Sequence, residues 1–280
     1  MAGADLHIHS IWSDGLVRPS EIARQANLSS LSYISLTDHN ILTGVEVLVR
    51  CMEGSSIRVI PGVEITVYDG RLGEIHILGY GIDTTEPRLR GALEKTVLRK
   101  RQQLAHMIHG LAGEGVHVSD EELRLEAGPG YVGRNALARV LVRKGAVGSV
   151  YQAFRRYLGE EGKLYTPVAG MKAETAIDLI HGAGGLAVLA HPTMDMLDAG
   201  IRRFAEHGLD GIEVYRPGAG GNEELYAEMV AKDFGLLLTG GSDWHGRRRD
   251  GKVGRFSIKE KRISAFLERI GRAADGPERD

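Results

Sequence analysis

Cysteine is almost absent from this chain: Cys51 is the single thiol among 280 residues. An intrachain disulfide is therefore excluded, and so is a zinc site built from thiolates. No apolar run approaches the roughly 18 residues that span a bilayer. The amino terminus also lacks the basic segment and following apolar segment of a secretion signal. These absences lead us to expect a reducing, cytoplasmic setting away from membranes. A surplus of charge is missing too, since 35 basic residues face 37 acidic ones for a net charge of -2. That balance gives no general electrostatic case for long duplex nucleic acid or an anionic membrane, so any anionic ligand has to be attracted locally.

What is present begins at Asp5-Leu6-His7-Ile8-His9-Ser10-Ile11-Trp12-Ser13-Asp14-Gly15. Successive side chains of a strand point to opposite faces, so His7 and His9 share a face with Asp5 while Leu6 and Ile8 take the other. The result is a chelating pair with an apolar back. Asp14 and Gly15 fall on the loop leaving the strand, where a carboxylate can turn back and reach a second ion.

Strand and helix then alternate. Helices are expected at Pro19 to Leu28, Thr43 to Cys51, Ala173 to Gly182, Leu197 to His207, Asn222 to Phe234 and Lys259 to Ala273, and a frayed tail at Asp275 to Asp280. Strands are expected at Tyr33 to Leu36, from Ile57 through Ile65, at Glu74 to Tyr80, Leu186 to Ala190, Gly211 to Tyr215 and Leu236 to Thr239. About seven strands, mostly linked through helices, predict an α/β fold with a parallel, closed or nearly closed barrel. Between them, 84–167 reads as four or five helices, an inserted cap on a barrel domain made of 1–83 and 168–280. Gly182-Ala183-Gly184-Gly185 follows a helix and precedes a strand, the wrong order for a phosphate loop, and reads as a helix stop and turn. Gly218-Ala219-Gly220-Gly221 has the right order, which leaves a role at the site mouth open.

His39, Glu64, His191, Asp243 and His245 are all expected at or just beyond the C-terminal ends of strands, where parallel α/β folds place their sites. His76 lies within its strand on the same side. Six of the 11 histidines therefore have such an address, whereas His106, His109, His117, His181 and His207 read as solvated helix positions. Imidazoles and carboxylates without thiolate suit manganese, zinc or iron. Nine candidate ligands exceed the needs of one or two ions, and three divalent ions is the natural count.

The segments D-L-H-I-H-S-x-x-S-D-G, T-D-H, P-G-V-E-I, H-I-L-G-Y, L-A-H-P, G-I-E-V-Y and G-S-D-W-H-G, in this order across residues 5–246, resemble the polymerase and histidinol phosphatase (PHP) superfamily of metal-dependent phosphoesterases. The resemblance implies a distorted (β/α)7 barrel with a trinuclear site. It puts His7, His9, Glu64 and Asp243 on one ion, with Glu64 bridging to a second held by His76 and His191. Asp14, His39 and His245 hold the third, and Asp5 and Asp38 orient ligands from behind. The stand-alone, nucleotide-directed branch is most similar, which implies a phosphatase of 3′,5′-nucleoside bisphosphates or a 5′→3′ exoribonuclease acting on short RNA. In that branch an arginine of the helical insertion contacts substrate phosphate, and Arg134 in V-G-R-N-A-L-A-R matches it. Two positions depart from the pattern. Asn40 stands where many relatives carry aspartate, and Arg216 where histidine is frequent, which adds a candidate phosphate contact or marks a different substrate.

Three divalent ions against the carboxylates Asp14, Glu64 and Asp243 leave a site charge of about +3, which supplies the anion attraction that the overall charge lacks. The expected chemistry is in-line attack on phosphorus by a metal-activated water, with Arg134 and the ions stabilising the equatorial oxygens. Arg247 to Arg249 read as a solvated basic loop, with contact to a second phosphate as the alternative. Competing readings are a histidinol-phosphate phosphatase, an amidohydrolase-like C–N hydrolase, which usually needs a carboxylated lysine that no strand end here supplies, and a non-catalytic metal- and nucleotide-binding module.

Overall fold

A computed structural model describes residues 3–127, 131–166 and 170–275. The chain begins with β1 (Gly3–Ile8), α1 (Pro19–Asn27), β2 (Leu31–Leu36), α2 (Thr43–Cys51) and the two-residue β3 (Arg58–Val59). Next come β4 (Gly62–Asp69) and β5 (Gly73–Tyr80), then the long α3 (Pro87–Gly113), α4 (Asp120–Ala127), α5 (Arg134–Arg143), α6 (Val150–Ala153) and a π turn at Phe154–Leu158. The alternation returns with α7 (Ala173–Gly182), β6 (Leu186–Leu189), α8 (Met194–Glu206), β7 (Gly211–Tyr215), α9 (Gly221–Phe234) and β8 (Leu237–Gly240). A short β9 (Ile258–Lys259), a 3-10 turn (Glu260–Ile263) and α10 (Ser264–Asp275) complete it.

The strands form two sheets rather than one continuous barrel: β3-β2-β1-β9 and β4-β5-β6-β7-β8. Two isolated parallel bridges join their margins, Ile8 with Trp244 and His39 with Glu64. The sequence expectation of a parallel array needs correcting, because β5 runs antiparallel to both β4 and β6. Only Gly70, Arg71 and Leu72 separate β4 from β5, too few for a crossover, so the pair closes as a hairpin. The single strand expected from Ile57 through Ile65 is instead two, β3 in one sheet and β4 in the other, and β4 runs on to Asp69, so Glu64 is its third residue rather than a strand end. A further correction concerns the carboxyl-terminal helix. Its first residues are instead β9, antiparallel to β1, and the 3-10 turn, so α10 starts at Ser264. The expected tail beyond Asp275 and the insertion boundary at Pro167 lie outside the described residues.

Apolar alternation fills the space between sheets and helices with aliphatic side chains, among them Leu6, Ile65, Ile77, Val188 and Ile212, all fully buried or nearly so. Burial of each such side chain contributes about 1.5–3 kcal/mol. A second cluster around Ile8, Ile34, Leu36 and Trp244 packs beneath α1 and α2. The helices between α3 and the π turn have their own core, built on Met107, Leu111, Leu137 and Leu141. α3 belongs to both regions: Leu89 and Leu93 pack on the sheets, Leu104 and Met107 on the helices. A 27-residue helix is about 40 Å long, so it is a rigid strut between the two cores. Gly184, with φ 77° after α7, makes the expected helix stop.

Candidate metal centre

His7, on β1, and His9, the first residue beyond its end, are fully buried and face the same side, each with Nε2 3.2 Å from Glu64 Oε2. Behind β1, the carboxylate of Asp38 accepts hydrogen bonds from Ser10 N–H (2.7 Å), Ser10 Oγ (2.6 Å) and Ser13 Oγ (2.6 Å). The S-x-x-S spacing is thus a latch that folds the 10–15 loop over the strand end and brings Asp14 back. Gly15 is required there, since a Cβ would lie 2.5 Å from the His9 carbonyl oxygen. At the other flank, a Cβ on Gly241 would lie 2.3 Å from His7 Cβ; its absence lets the chain leaving β8 pass against β1 and deliver Asp243 and His245.

Glu64 is the hub. Its Oε2 lies 3.2 Å from His7 Nε2, His9 Nε2 and His39 Nδ1, while Oε1 lies 2.8 Å from His76 Nδ1 and 3.0 Å from His191 Nε2. One buried carboxylate therefore has an imidazole set on each oxygen. Asp243 Oδ1 sits 3.2 Å from His9 Nε2 and 3.6 Å from His7 Nε2, and Asp14 Oδ1 sits 3.1 Å from His245 Nε2 and 3.8 Å from His9 and His39. All nine expected ligands are thus brought into one connected cluster. Three overlapping groups have donor atoms within 4.8 Å of one another: His7, His9 and Asp243; His9, Asp14, His39 and His245; and His39, Glu64 and His76. His9 and His39 each stand in two groups, which differs from the partition that the family resemblance implies.

The groups suit cations on local evidence. His9 Nε2, Asp14 Oδ1 and His39 Nδ1 are buried without a hydrogen-bond partner, an arrangement that costs several kcal/mol unless something positive takes the lone pairs. Strain points the same way. Among the described residues, positive φ at non-glycine positions occurs only at Asn40 (55°), His191 (30°) and Asp243 (50°), each just past a strand end in this cluster, and backbone held in this region tends to mark functional sites.

Electrostatics are correspondingly perturbed. Burial works against charge on His7, but Glu213 and Glu64 outweigh it and hold its pKa well above the ordinary value. Against the same desolvation, contacts with Asp243 and Glu64 push His9 up to about 10, and Glu64 with Glu74 pushes His76 up to about 9. His39 is driven down to about 3, chiefly by burial. Burial alone would raise Glu64, yet His39, His76 and His7 keep it well below the carboxylate range.

Three residues escaped the sequence reading. Glu213, buried on β7, receives His7 Nδ1–H on Oε1 (2.9 Å) and the His191 backbone N–H on Oε2 (2.7 Å). The signal was a lone acid inside the apolar run G-I-E-V-Y. Glu74 precedes His76 by one strand period; its Oε1 is 3.7 Å from His76 Nε2 and 3.3 Å from Lys100 Nζ, and its Oε2 accepts from Arg134 Nη2 at 2.8 Å. Lys100, on α3, is the third.

Arg134 opens α5, and with Lys100, Tyr131, Asp14, His39 and His76 it lines a cavity of ≈ 270 Å³. The backbone N–H of Tyr131 donates to the Ser13 carbonyl (2.8 Å), tying the helical segment to the Asp14 loop. Arg216 is not brought here. It lies 3.4 Å from the Pro192 carbonyl and 3.7 Å from Glu223, lining a different cavity with Thr193 and Ala219. Asn40 has a local explanation: its amide donates to Thr66 Oγ1 (2.9 Å) and accepts from Thr66 N–H (3.0 Å), clasping the end of β2 to β4. Asp5 accepts from Ser242 N–H at 2.8 Å, beside Asp243, and its burial raises its pKa to about 6. Arg248 and Arg249 are exposed, and Arg247 lies near Arg139. His106, His109, His117, His181 and His207 stay outside the cluster and exposed; the last two pair with Asp210 and Asp178.

Residues 5–126 match the PHP domain. A 5'-3' exoribonuclease of Haemophilus influenzae is 32% identical over 247 residues, covering 86% of this chain and 89% of that protein. The chain belongs to the PHP family. Another relative of this PHP chain is a 3',5'-nucleoside bisphosphate phosphatase of Chromobacterium violaceum, 33% identical over 259 residues and covering 90% of each. The solved structure of a Chromobacterium violaceum amidohydrolase with bound sulfate superposes with a TM-score of 0.84 at 29% identity, covering 98% of this chain and 99% of that one. The PHP chain therefore shares the mixed α/β fold and the metal-dependent phosphoesterase family of its relatives. No helix among its described residues is long and apolar enough to cross a membrane.

Proposed function

We propose that this PHP chain hydrolyses phosphate esters of nucleotides or the 5′ ends of short RNA, using three divalent ions, with manganese the best match and zinc or iron compatible. The observation that carries this reading is Glu64, a single buried carboxylate with imidazoles on both oxygens, two of which, His39 and His76, line the cavity that also holds Arg134 and Lys100. His7, His9, Glu64 and Asp243 would hold one ion, Glu64, His76 and His191 a second, and Asp14, His39 and His245 a third. Bound ions supply Lewis acidity toward a phosphoryl oxygen and lower the pKa of water. Arg134 and Lys100 would orient the substrate phosphate by charge-assisted hydrogen bonds. Glu213 fixes His7 and His191, and Asp38 fixes the loop that carries Asp14. Arg216, which lines a different cavity with Thr193 and Ala219, is assigned no contact with the phosphate held by Arg134.

Two architectural readings accompany this one. The bridges Ile8–Trp244 and His39–Glu64 support a distorted seven-stranded barrel, in ring order β1-β2-β4-β5-β6-β7-β8, whose seams lie at the metal cluster. The separate core of 104–158 supports a helical cap that roofs the site. A cytoplasmic setting fits the exposed, unpaired Cys51.

The test is metal analysis of the purified protein with a manganese-supplemented phosphate-release screen of adenosine 3′,5′-bisphosphate, histidinol phosphate and 5′-phosphorylated short RNA. Release from the nucleotide or the RNA is expected, and Asp14→Ala should lower it more than about 100-fold with an unchanged circular dichroism spectrum. Release confined to histidinol phosphate would redirect the assignment. Full turnover by Asp14→Ala would remove the metal role of that residue.

A further inference from the structure

A second opening adjoins the cavity of Arg134. It lies between the turn that leads into α2 and the face of α3, encloses ≈ 300 Å³, and shares Asn40 and Val97 with the first. Its walls are Ile41, Leu42, Leu93, Val97 and Leu98, with Arg101 at one end. Leu93, Val97 and Arg101 follow the i, i+4 spacing, so they line one stripe of α3 and the groove runs along the helix. Leu98 is 57% exposed, an aliphatic surface left open beside a highly polar site.

Charge decides what this groove can hold. Arg90 on its rim is already engaged by Glu46 at 2.7 Å and by the Thr84 carbonyl, and Glu94 on the same rim repels anions. Arg101 is left, and its field reaches the Tyr131 phenol in the main cavity. A phosphate would be desolvated against five aliphatic side chains with little return. A flat, uncharged group would bury its faces on them and stack an edge or face on the guanidinium. The volume lies at the small end of ligand pockets, enough for one ring system.

We propose that this groove is a nucleobase subsite: the base of a phosphorylated nucleoside lies against Ile41, Val97 and Leu98 while its phosphate lies in the adjoining cavity with Arg134 and Lys100. The proposal rests on the nucleotide phosphoesterase reading and adds where the specificity for a nucleoside resides. The chain thus selects its substrates by an aliphatic face of α3 rather than by the metal cluster, which sees only phosphate.

The experiment compares adenosine 3′,5′-bisphosphate with ribose 3,5-bisphosphate, which lacks the base, on the manganese-loaded full chain. kcat/KM is measured for both, and binding of both by calorimetry. The wild-type enzyme is expected to prefer the nucleotide by about tenfold or more. Leu98→Asp and Ile41→Asp should bring that ratio near unity, mainly through KM. Leu125→Asp, a substitution at an exposed leucine of α4 outside the groove, should retain the wild-type ratio. Equal handling of both esters by the wild type overturns the subsite and leaves the phosphoesterase reading intact. A ratio unchanged in both groove variants overturns it as well. If neither ester is hydrolysed, the phosphoesterase reading fails. In that event, base-dependent binding that Leu98→Asp abolishes upholds the subsite, and base-independent binding overturns it.

Discussion

Replacing Glu213 by glutamine changes one atom and almost no volume, yet it should cost this enzyme most of its hold on metal. The carboxylate accepts two hydrogen bonds from opposite sides, from His7 Nδ1–H at 2.9 Å and from the backbone N–H of His191 at 2.7 Å. An amide offers one oxygen and one NH2, so either orientation of the substituted side chain sets a donor against a donor. The position is almost fully buried, and no water can intervene without opening the core. Loss of one charge-assisted bond is worth roughly 1.5–3 kcal/mol. If His7 swings, its Nε2 leaves Glu64 and Asp243; if His191 relaxes from φ 30°, its Nε2 leaves Glu64 and His76. Both outcomes act on metal rather than on substrate. The expected effect is a fall of about 10- to 100-fold in affinity for manganese, which matches the bond energy above at about 1.4 kcal/mol per tenfold. Competition with a chelating dye measures it directly, and a thermal melt of metal-free protein reports the structural part. Affinity within about twofold of wild type would refute the reasoning, because a change that small is below the loss of even one such bond and would mean that neither histidine depends on Glu213 for its orientation.

Two other perturbations test different parts of the site. Arg134→Ala removes a guanidinium that lies in the cavity with Glu74 as its ion-pair partner; KM for adenosine 3′,5′-bisphosphate should rise about tenfold or more with a smaller change in kcat, and unaltered steady-state kinetics would end its proposed role. Metal uptake has to displace protons from His9 and His76, whose pKa values in the metal-free fold are raised to about 10 and about 9. Affinity should therefore fall with decreasing pH below about 9 and binding at pH 7 should release protons, read by calorimetry in buffers of different ionisation enthalpy. The same raised values stabilise the metal-free fold fully below about 6.5, and that contribution is lost as pH climbs through 9 to 10. Binding without proton release at pH 7 would show that the imidazoles are already neutral.

Much of the site was legible in the chain because it rests on local geometry. Alternation along β1 is a property of any strand, so His7 and His9 had to share a face once Leu6 and Ile8 were buried. The loop 10–15 is equally local, although only the fold shows that Asp38 is what latches Ser10 and Ser13. Helices at 173–182 and 221–234 follow from periodicity and their flanking glycines. β9 was missed because two residues carry no period of their own and become a strand only by pairing with β1. The direction of β5 was missed for a related reason: apolar alternation is the same for parallel and antiparallel neighbours, and only the three-residue link after β4 hints at a hairpin.

Residue types and spacing by themselves determined the kind of chemistry: imidazoles and carboxylates, no thiolates, gathered at predicted strand termini. The tertiary structure decided which of them meet. Glu213 and His7 are separated by 206 positions, and Arg134 and Glu74 by 60, and no periodicity reaches across such gaps. Their partnership depends on the order in which strands pack and on where α3 sets the following helices. The groove of Leu98 is of this kind too. Its aliphatic residues read in sequence as an ordinary helix face, and it is the neighbouring turn at Ile41 that makes them a pocket.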